Sequence, residues 1–153
     1  MAAGLRVPIL IAEDDDNDAD LLKRSIEKHC ADSFVHIVSD GGEAIEYLEG
    51  HGDFADRNRY PFPEFVLTDI KMPKVSGLDV VGWIKRHPQC RLIPVIVWSS
   101  SALEADVTKA YELGANCYFQ KPNSSTEWNE TVELMVRFWK TVKKPLLQLK
   151  CCE

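Results

Sequence analysis

The sequence predicts an α/β fold, in which a doubly wound, five-stranded parallel sheet is flanked by five helices. Two observations support this fold class. Short runs of β-branched and aromatic residues alternate five times with segments of helical periodicity. Three of these runs are apolar throughout, as expected of parallel strands that are covered on both faces. The length of 153 residues suits one domain with its own core.

Five apolar runs are the candidate strands. Their β-branched and aromatic side chains pack well on a pleated, buried surface. The chain between consecutive runs is long enough for a helix, which a parallel crossover requires. In chain order the runs are residues 9–12, 34–38, 65–67, 95–98 and 117–119.

Five segments, one after each run, place apolar residues at helical spacing. Acidic residues open the first, which suits the positive end of a helix dipole. The third stops before Pro88, which cannot continue a helix. The fourth and fifth are each predicted to begin with a capping box, at residues 101–104 and 124–127. The helices are expected at about residues 15–29, from 42 onward, 77–87, 101–114 and 124–140.

The segments outside the predicted strands and helices are a loop, a short extension and a tail. Residues 50–63, rich in Gly, Pro and charge, are predicted to form a surface loop. Residues 7–140 are expected to form the domain, with residues 1–6 as a short extension and residues 141–153 as a tail. We expect that tail to be too short for an output domain.

Composition limits the classes of function. The formal net charge of −6 opposes binding to phosphate backbones, so no nucleic-acid partner is expected. The first residues lack the apolar core of a signal peptide, and no apolar run approaches the ~20 residues of a membrane helix. The five cysteines form no CxxC pair and are expected to be reduced thiols. We therefore expect a cytoplasmic protein without a membrane partner.

Polar side chains gather where the predicted strands end. Glu13 and Asp14 follow the first strand, Asp69 the third, Ser99 the fourth and Lys121 the fifth. In an open parallel sheet these carboxyl ends share one edge, where ligands bind. Singly, each residue is most often an ordinary turn, cap or surface residue. Their joint occurrence at four strand ends predicts a shared cleft.

This set of side chains is typical of a phosphoryl-transfer site. Three carboxylates around one point repel each other unless a cation lies among them, and oxygen ligands favour Mg²⁺ or Mn²⁺. One carboxylate can act as the nucleophile, while a lysine and a hydroxyl stabilise charge on the phosphoryl oxygens.

Four motifs connect these observations with a known family: ILIAEDD, LTDIKMPKVSGLDV, PVIVWSSS and GANCYFQKP. Over residues 7–140 the sequence resembles the receiver domains of response regulators in two-component signalling, which have the CheY-like fold of the flavodoxin type. The resemblance implies the strand order 2-1-3-4-5. The loop of residues 50–63 and the segment YELGANCY are similar to those of stand-alone regulators that pair with phytochrome-type histidine kinases.

The resemblance implies a metal site that holds Mg²⁺ or Mn²⁺. Its ligands would be the side chains of Glu13, Asp14 and Asp69 and the backbone carbonyl of Lys71. Glu13 departs from the family pattern, in which Asp is commoner, but its longer side chain should still reach the cation.

The resemblance also implies a switch around the phosphoacceptor Asp69. Ser99, where Thr is commoner, and Lys121 would bond the phosphoryl group. Tyr118 would change its rotamer with the switch, and the peptide bond before Pro122 would be cis.

The implied function is that of a single-domain response regulator. It would accept a phosphoryl group from a sensor histidine kinase and signal through protein contacts. It would be no enzyme beyond catalysing its own phosphorylation and dephosphorylation. Two alternatives stay open: a pseudo-receiver that acts as a binding scaffold, and a phosphohydrolase with Asp69 as nucleophile. Hydrolases of that class usually carry a second acid two residues later, where this chain has Lys71.

The fifth predicted helix has two apolar stripes. Leu134 and Phe138 form the second, outer stripe. This width predicts either a partner, such as a second copy bound through the fourth helix, fifth strand and fifth helix, or packing of the tail at residues 145–147. The first stripe recurs at core spacing and consists of Trp128, Val132, Met135 and Trp139.

Overall fold

Strands and helices alternate through residues 6–145, the part of the chain that this computed structural model describes. The strands are β1 Val7–Ala12, β2 Ser33–Val38, β3 Phe65–Thr68, β4 Val95–Ser99 and β5 Cys117–Gln120. The helices are α1 Asp16–His29, α2 Gly41–Glu49, α3 Gly77–Arg86, α4 Glu104–Glu112 and α5 Ser125–Thr141. The predicted α/β fold class is confirmed, and each predicted strand and helix is present.

The strands form one parallel sheet in the order β2-β1-β3-β4-β5, which confirms the implied topology. Strand order reverses between β1 and β3, and such a switch point opens a crevice at the carboxyl ends of the strands. Ala12 pairs with Thr68 in the register of β1 and β3. The next residues along the two strands, Glu13 and Asp69, therefore lie side by side at this crevice.

The two faces of the sheet pack into two separate core clusters. Leu10 and Val66 point into one cluster, together with apolar residues of α2 and α3. Ile9 and Leu67 point into the other, together with apolar residues of α1 and α5. Neighbouring strand residues such as Ile9 and Leu10 are only 3% and 0% exposed. This two-sided burial explains why the runs are apolar throughout.

The bulky Trp98 at the end of β4 packs against α5. Its ring lies 5.0 Å from that of Trp128, with the planes at 81°. The first stripe of α5, called the inner stripe from here on, thus belongs to the core. In the outer stripe, Leu134 and Phe138 are 64% and 61% exposed. The tail segment predicted as an alternative cover lies mostly outside the described residues. No helix within residues 6–145 combines the length and apolarity needed to cross a membrane.

Four helices begin with a side chain that accepts a hydrogen bond from a backbone N–H three residues ahead. Of the capping box predicted at Ser124 and Glu127, one bond is present, from Glu127 N to Ser124 Oγ at 3.2 Å, and the reciprocal bond to the Glu127 side chain is not found. A reciprocal capping box is formed by Ser76 and Asp79 at α3. The four capping residues are Asp15, Asp40, Ser76 and Ser124.

The capping box predicted at Ser101 and Glu104 is wrong. α4 begins at Glu104, after Leu103, whose side chain makes no capping bond. Ser101 Oγ instead accepts from Leu103 N at 3.3 Å and donates to Asp106 Oδ2. The hydroxyl therefore stabilises the turn before the helix, because the chain leaves β4 through an additional non-helical segment.

Residues 50–63 form more than the predicted surface loop. They contain a short 3₁₀ helix, Gly52–Phe54. The guanidinium of Arg57 donates to the carbonyls of Tyr47 and Leu48, each at 2.8 Å, and so covers the last turn of α2. An aromatic cluster, with ring centroids 4.9 to 6.1 Å apart, consists of His36, Tyr47, Phe54 and Tyr60.

The cis peptide bond that the resemblance implied before Pro122 is not found. All peptide bonds of the described residues are trans, including that between Lys121 and Pro122. The trans isomer is the intrinsically preferred form of a bond to proline.

Candidate functional site

Three carboxylates converge at the switch point between β1 and β3. Glu13 and Asp14 follow β1, and Asp69 follows β3. One oxygen of each lies within 4.8 Å of the others. Glu13 and Asp69 are 3% and 8% exposed, while Asp14 is open to solvent. Such a set offers hard oxygen ligands at the rim of a buried site, which suits Mg²⁺ or Mn²⁺.

The backbone holds Asp69 in one orientation. Its N–H donates to the carbonyl of Ala12 at 2.9 Å, and its Oδ1 accepts from Ile70 N at 2.7 Å. The N–H of Gly77 donates to the carbonyl of Ile70 at 2.9 Å, which brings the start of α3 against Asp69. A Cβ on Gly77 would lie 1.7 Å from the carbonyl oxygen of Asp69, so a side chain does not fit there.

Lys121, the residue directly after β5, reaches the carboxylates with its side chain. It is 9% exposed, and its Nζ donates to Glu13 Oε2 at 2.8 Å and to Asp69 Oδ2 at 2.9 Å. A third bond, of 2.8 Å, goes to Asp18 Oδ2 in the first turn of α1. Lys121 therefore connects residues from three separate parts of the chain at one point.

Burial and charge oppose each other in this cluster. Burial lowers the pKa of Lys121, but hydrogen bonds to Asp18, Glu13 and Asp69 outweigh burial and raise the pKa above its ordinary value. Burial raises the pKa of Glu13 to about 7; the hydrogen bond from Lys121 opposes this rise, and the charge of Asp69 adds to it. One ammonium therefore does not compensate the buried negative charge, and a further cation is electrostatically favoured.

Ser99 is the last residue of β4, the strand between β3 and β5, and Tyr118 lies in β5. Ser99 is 1% exposed, and its carbonyl accepts from Lys121 N at 2.7 Å. Its Oγ accepts from Ser101 N at 3.2 Å. The hydroxyl of Tyr118 donates to the carbonyl of Ser101 at 2.8 Å. Both side chains are therefore connected to the β4–α4 loop.

The sequence was compared with known protein families to identify the family of this chain. Residues 9–133 match the family described as the response regulator receiver domain. The chain belongs to this family. It is a receiver-domain response regulator of two-component signalling, as the resemblance implied.

Similarity to individual receivers extends over most of the chain. Response regulator Rcp1 of Synechocystis sp. is 33% identical over 138 residues, covering 90% of this chain and 92% of Rcp1. The solved structure of the phosphorylated cyanobacterial phytochrome response regulator RcpA is 30% identical with a TM-score of 0.86, over 92% of this chain and 99% of RcpA. The Mn²⁺-bound form of Rcp1 is 32% identical with a TM-score of 0.82, over 91% of this chain and 99% of that one.

The receiver fold brings most of the predicted site residues into direct contact. Glu13, Asp69 and Lys121 are joined by hydrogen bonds, and Asp14 completes the group of carboxylates. Ser99 is joined to Lys121 by a backbone hydrogen bond. Lys71 is exposed in the loop after Asp69, and the role of its carbonyl stays a prediction.

Asp18 is a site residue that the sequence did not predict. An acid in the first turn of a helix usually stabilises the helix N-terminus, which is sufficient reason for its presence. One signal could have pointed to it, because α1 starts directly after β1 and its first turn lies at the site edge of the sheet. The sequence does not say, however, which of Asp16, Asp18 and Asp20 faces that edge.

Proposed function

We propose that this receiver domain accepts a phosphoryl group on Asp69 from the phosphohistidine of a sensor histidine kinase. Hydrolysis of the acyl phosphate then returns it to the resting state. The observation that carries this proposal is the 2.9 Å bond between Lys121 Nζ and Asp69 Oδ2, next to the carboxylates of Glu13 and Asp14. A nucleophile, a cation and metal ligands are thus combined at one point.

In the transfer, a carboxylate oxygen of Asp69 forms a bond to phosphorus, and the bond from phosphorus to the kinase imidazole nitrogen breaks. The electron pair of the broken bond stays on that nitrogen. Negative charge on the phosphoryl oxygens is stabilised by hydrogen bonds from Lys121 Nζ and from the Ser99 hydroxyl. In the reset, water attacks phosphorus, Asp69 leaves as a carboxylate, and the released phosphate takes the protons of the water.

The same site is proposed to hold Mg²⁺. Glu13, Asp14 and Asp69 would supply carboxylate oxygens, and Lys71 its backbone carbonyl. When bound, the cation reduces repulsion among the carboxylates and offsets charge on the phosphoryl group. The buried negative charge that Lys121 leaves uncompensated supports this assignment, as does the structure of the similar regulator Rcp1 described as its Mn²⁺-bound form.

The switch is proposed to act through Ser99 and Tyr118. A phosphoryl group adds negative charge and strong hydrogen-bond acceptors beside Asp69. Ser99 Oγ accepts from Ser101 N, so its own O–H can turn to the phosphoryl group. Movement of Ser99 would pull on the loop to which Tyr118 is bonded, and Tyr118 would turn inward.

The partners are proposed to be a phytochrome-type histidine kinase in the cytoplasm and a second copy of this chain. The kinase type is supported by similarity to RcpA, which is described as a phytochrome response regulator. The second copy is supported by Leu134 and Phe138, whose exposed side chains extend the apolar surface of α5.

Phosphorylation by acetyl phosphate in the presence of Mg²⁺ tests the proposal. Intact-mass spectrometry is expected to show one added phosphoryl group on the wild-type chain and none on Asp69→Asn. Removal of Mg²⁺ with a chelator should also prevent the addition. Asp53→Asn, at an exposed position of the 50–63 loop, is the matched control and should be modified like the wild type.

The two alternative functions give different results in this experiment. A wild-type chain that gains no phosphoryl group and releases no phosphate would be a pseudo-receiver. A chain that releases phosphate from small phosphate esters over many turnovers would be a hydrolase. Either result would contradict the proposed function.

A further inference from the structure

Every donor of the Lys121 ammonium is used in the resting structure. An ammonium has three N–H donors. Those of Lys121 go to Glu13 Oε2 at 2.8 Å, Asp18 Oδ2 at 2.8 Å and Asp69 Oδ2 at 2.9 Å. A hydrogen bond from Lys121 to a phosphoryl group on Asp69 therefore requires that one of these bonds be given up.

The three carboxylates bonded to Lys121, those of Glu13, Asp18 and Asp69, differ in the free energy that is lost when Lys121 breaks its bond to each. The side chains of Glu13 and Asp69 are 2% and 10% exposed, whereas that of Asp18 is 36% exposed. A buried carboxylate that loses its cation keeps a charge that water cannot reach, while a partly exposed one is rehydrated. Asp18 also lies in the first turn of α1, whose dipole stabilises a negative charge. Phosphorylation itself removes the charge of the Asp69 carboxylate and so frees one N–H of Lys121. Of the two carboxylates that keep their charge, Asp18 is the one that Lys121 leaves more readily, and this release lets a second N–H reach the phosphoryl group.

We propose that Asp18 is a positioning residue, which holds Lys121 in the resting domain and gives it up to the phosphoryl group. It acts only through Lys121 and does not touch the reacting atoms. Since Asp18 and the phosphoryl group compete for the same N–H donor, Asp18 shifts the balance toward the unphosphorylated state. This inference rests on the proposed function, because it takes Asp69 as the phosphoacceptor.

Binding of beryllofluoride, a phosphoryl mimic, at saturating Mg²⁺ tests the competition. Titration can be followed by tryptophan fluorescence, because Trp98 directly precedes Ser99. Asp18→Asn is expected to bind the mimic about three- to tenfold more tightly than the wild type, since a neutral amide holds an ammonium less strongly than a carboxylate does. Asp18→Glu keeps the carboxylate and is expected to restore wild-type affinity.

Asp16→Asn is the matched control for charge. Asp16 lies in the same first turn of α1 and is exposed. Its neutralisation removes an equal charge from the neighbourhood without removing the bond to Lys121. The affinity gain in Asp18→Asn should therefore exceed that in Asp16→Asn. Circular dichroism and thermal unfolding serve to check that Asp18→Asn, Asp18→Glu and Asp16→Asn are folded.

A double-mutant cycle with Lys121→Met tests whether Asp18 acts through Lys121. The affinity difference between Asp18 and Asn at position 18 is expected to vanish once Lys121 is replaced. If Lys121→Met does not fold, the role of Asp18 is tested by the beryllofluoride affinities of Asp18→Asn, Asp18→Glu and Asp16→Asn.

The outcomes separate this inference from the proposed function. Equal affinities of Asp18→Asn and Asp16→Asn, or weaker binding by Asp18→Asn, overturn the role of Asp18 and leave the function intact. A wild-type chain that binds no beryllofluoride, with Asp69→Asn unchanged from it, overturns both.

Discussion

Single residues at this site are constrained by backbone that lies very close to them. Gly77 starts α3 directly against the carbonyl of Asp69, and its N–H bonds the carbonyl of Ile70. Lys74, in the same loop, has a φ of 67°, a left-handed conformation in which a side chain is strained. The loop between Asp69 and α3 therefore has little room for added atoms. We expect the position of Asp69 to depend on the close contact between its carbonyl and Gly77.

Gly77→Ala tests this dependence. The added Cβ would meet backbone, which cannot move aside as a flexible side chain can, so we expect a loss of about 1–3 kcal/mol in the free energy of unfolding. Displacement of Asp69 should also slow its phosphorylation by acetyl phosphate. Chemical denaturation and intact-mass spectrometry measure the two effects.

Gly82→Ala is the control for Gly77→Ala within the same helix. The atoms nearest to a Cβ at Gly82 would belong to the side-chain end of Arg86, the closest at 3.1 Å. Alanine is favoured over glycine inside a helix by up to about 1 kcal/mol, so this variant should be neutral or more stable. If the two variants had the same unfolding free energy and the same phosphorylation rate, the close approach of Gly77 to Asp69 would not be important for stability or for the site.

At the scale of elements, the 50–63 segment makes more ordered contacts than its amino-acid composition predicts. Its glycines, prolines and charges predict a loop, and its helical content is only three residues. Arg57 nevertheless bonds the last turn of α2, and Phe54 and Tyr60 pack on His36 and Tyr47. These contacts depend on β2, α2 and the segment meeting in space, which local composition does not encode.

The aromatic cluster predicts a loss of stability in mild acid. Burial lowers the pKa of His36 from its ordinary value of 6.5, with the charge of Glu43 opposing the shift. The unfolded chain therefore takes up this proton at a higher pH than the folded chain does. The stability that neutral His36 contributes is complete above about pH 6.5 and is lost progressively as the pH falls below it.

His36→Phe keeps a ring in the cluster but removes the titrating group. Urea denaturation from pH 7 downward is expected to show a shallower fall in unfolding free energy for this variant than for the wild type. Parallel curves for the two proteins would mean that His36 does not contribute to the acid sensitivity.

At the scale of the whole molecule, α5 carries two apolar stripes in different surroundings. Its inner stripe closes one of the two cores, where Trp128 packs on Trp98 and Trp139 on Phe65. Its outer stripe leaves Leu134 exposed to solvent. The inner stripe contributes to folding, and the outer stripe is the surface through which we propose that a second copy binds.

Charge on the outer stripe is therefore expected to abolish association between copies. With Mg²⁺ and beryllofluoride, the wild type is expected to be dimeric and the double variant Leu134→Glu/Phe138→Glu monomeric, as measured by size-exclusion chromatography with light scattering. Leu21→Glu, at a partly exposed position on α1 outside this face, should dimerise like the wild type. A wild-type chain that is monomeric with and without beryllofluoride would contradict the proposed dimer.

The sequence by itself determined the fold class and the order of elements, because periodicity and apolar runs are local properties of the chain. It also brought Glu13, Asp14 and Asp69 to one edge, since parallel strands end on the same side of a sheet. Only the tertiary structure decided that Lys121 bonds Asp18, 103 residues away in the chain. The rotation of α1 about its axis selects that acid, and this rotation is set by packing of α1 on the sheet and α5 rather than by the residues around Asp18.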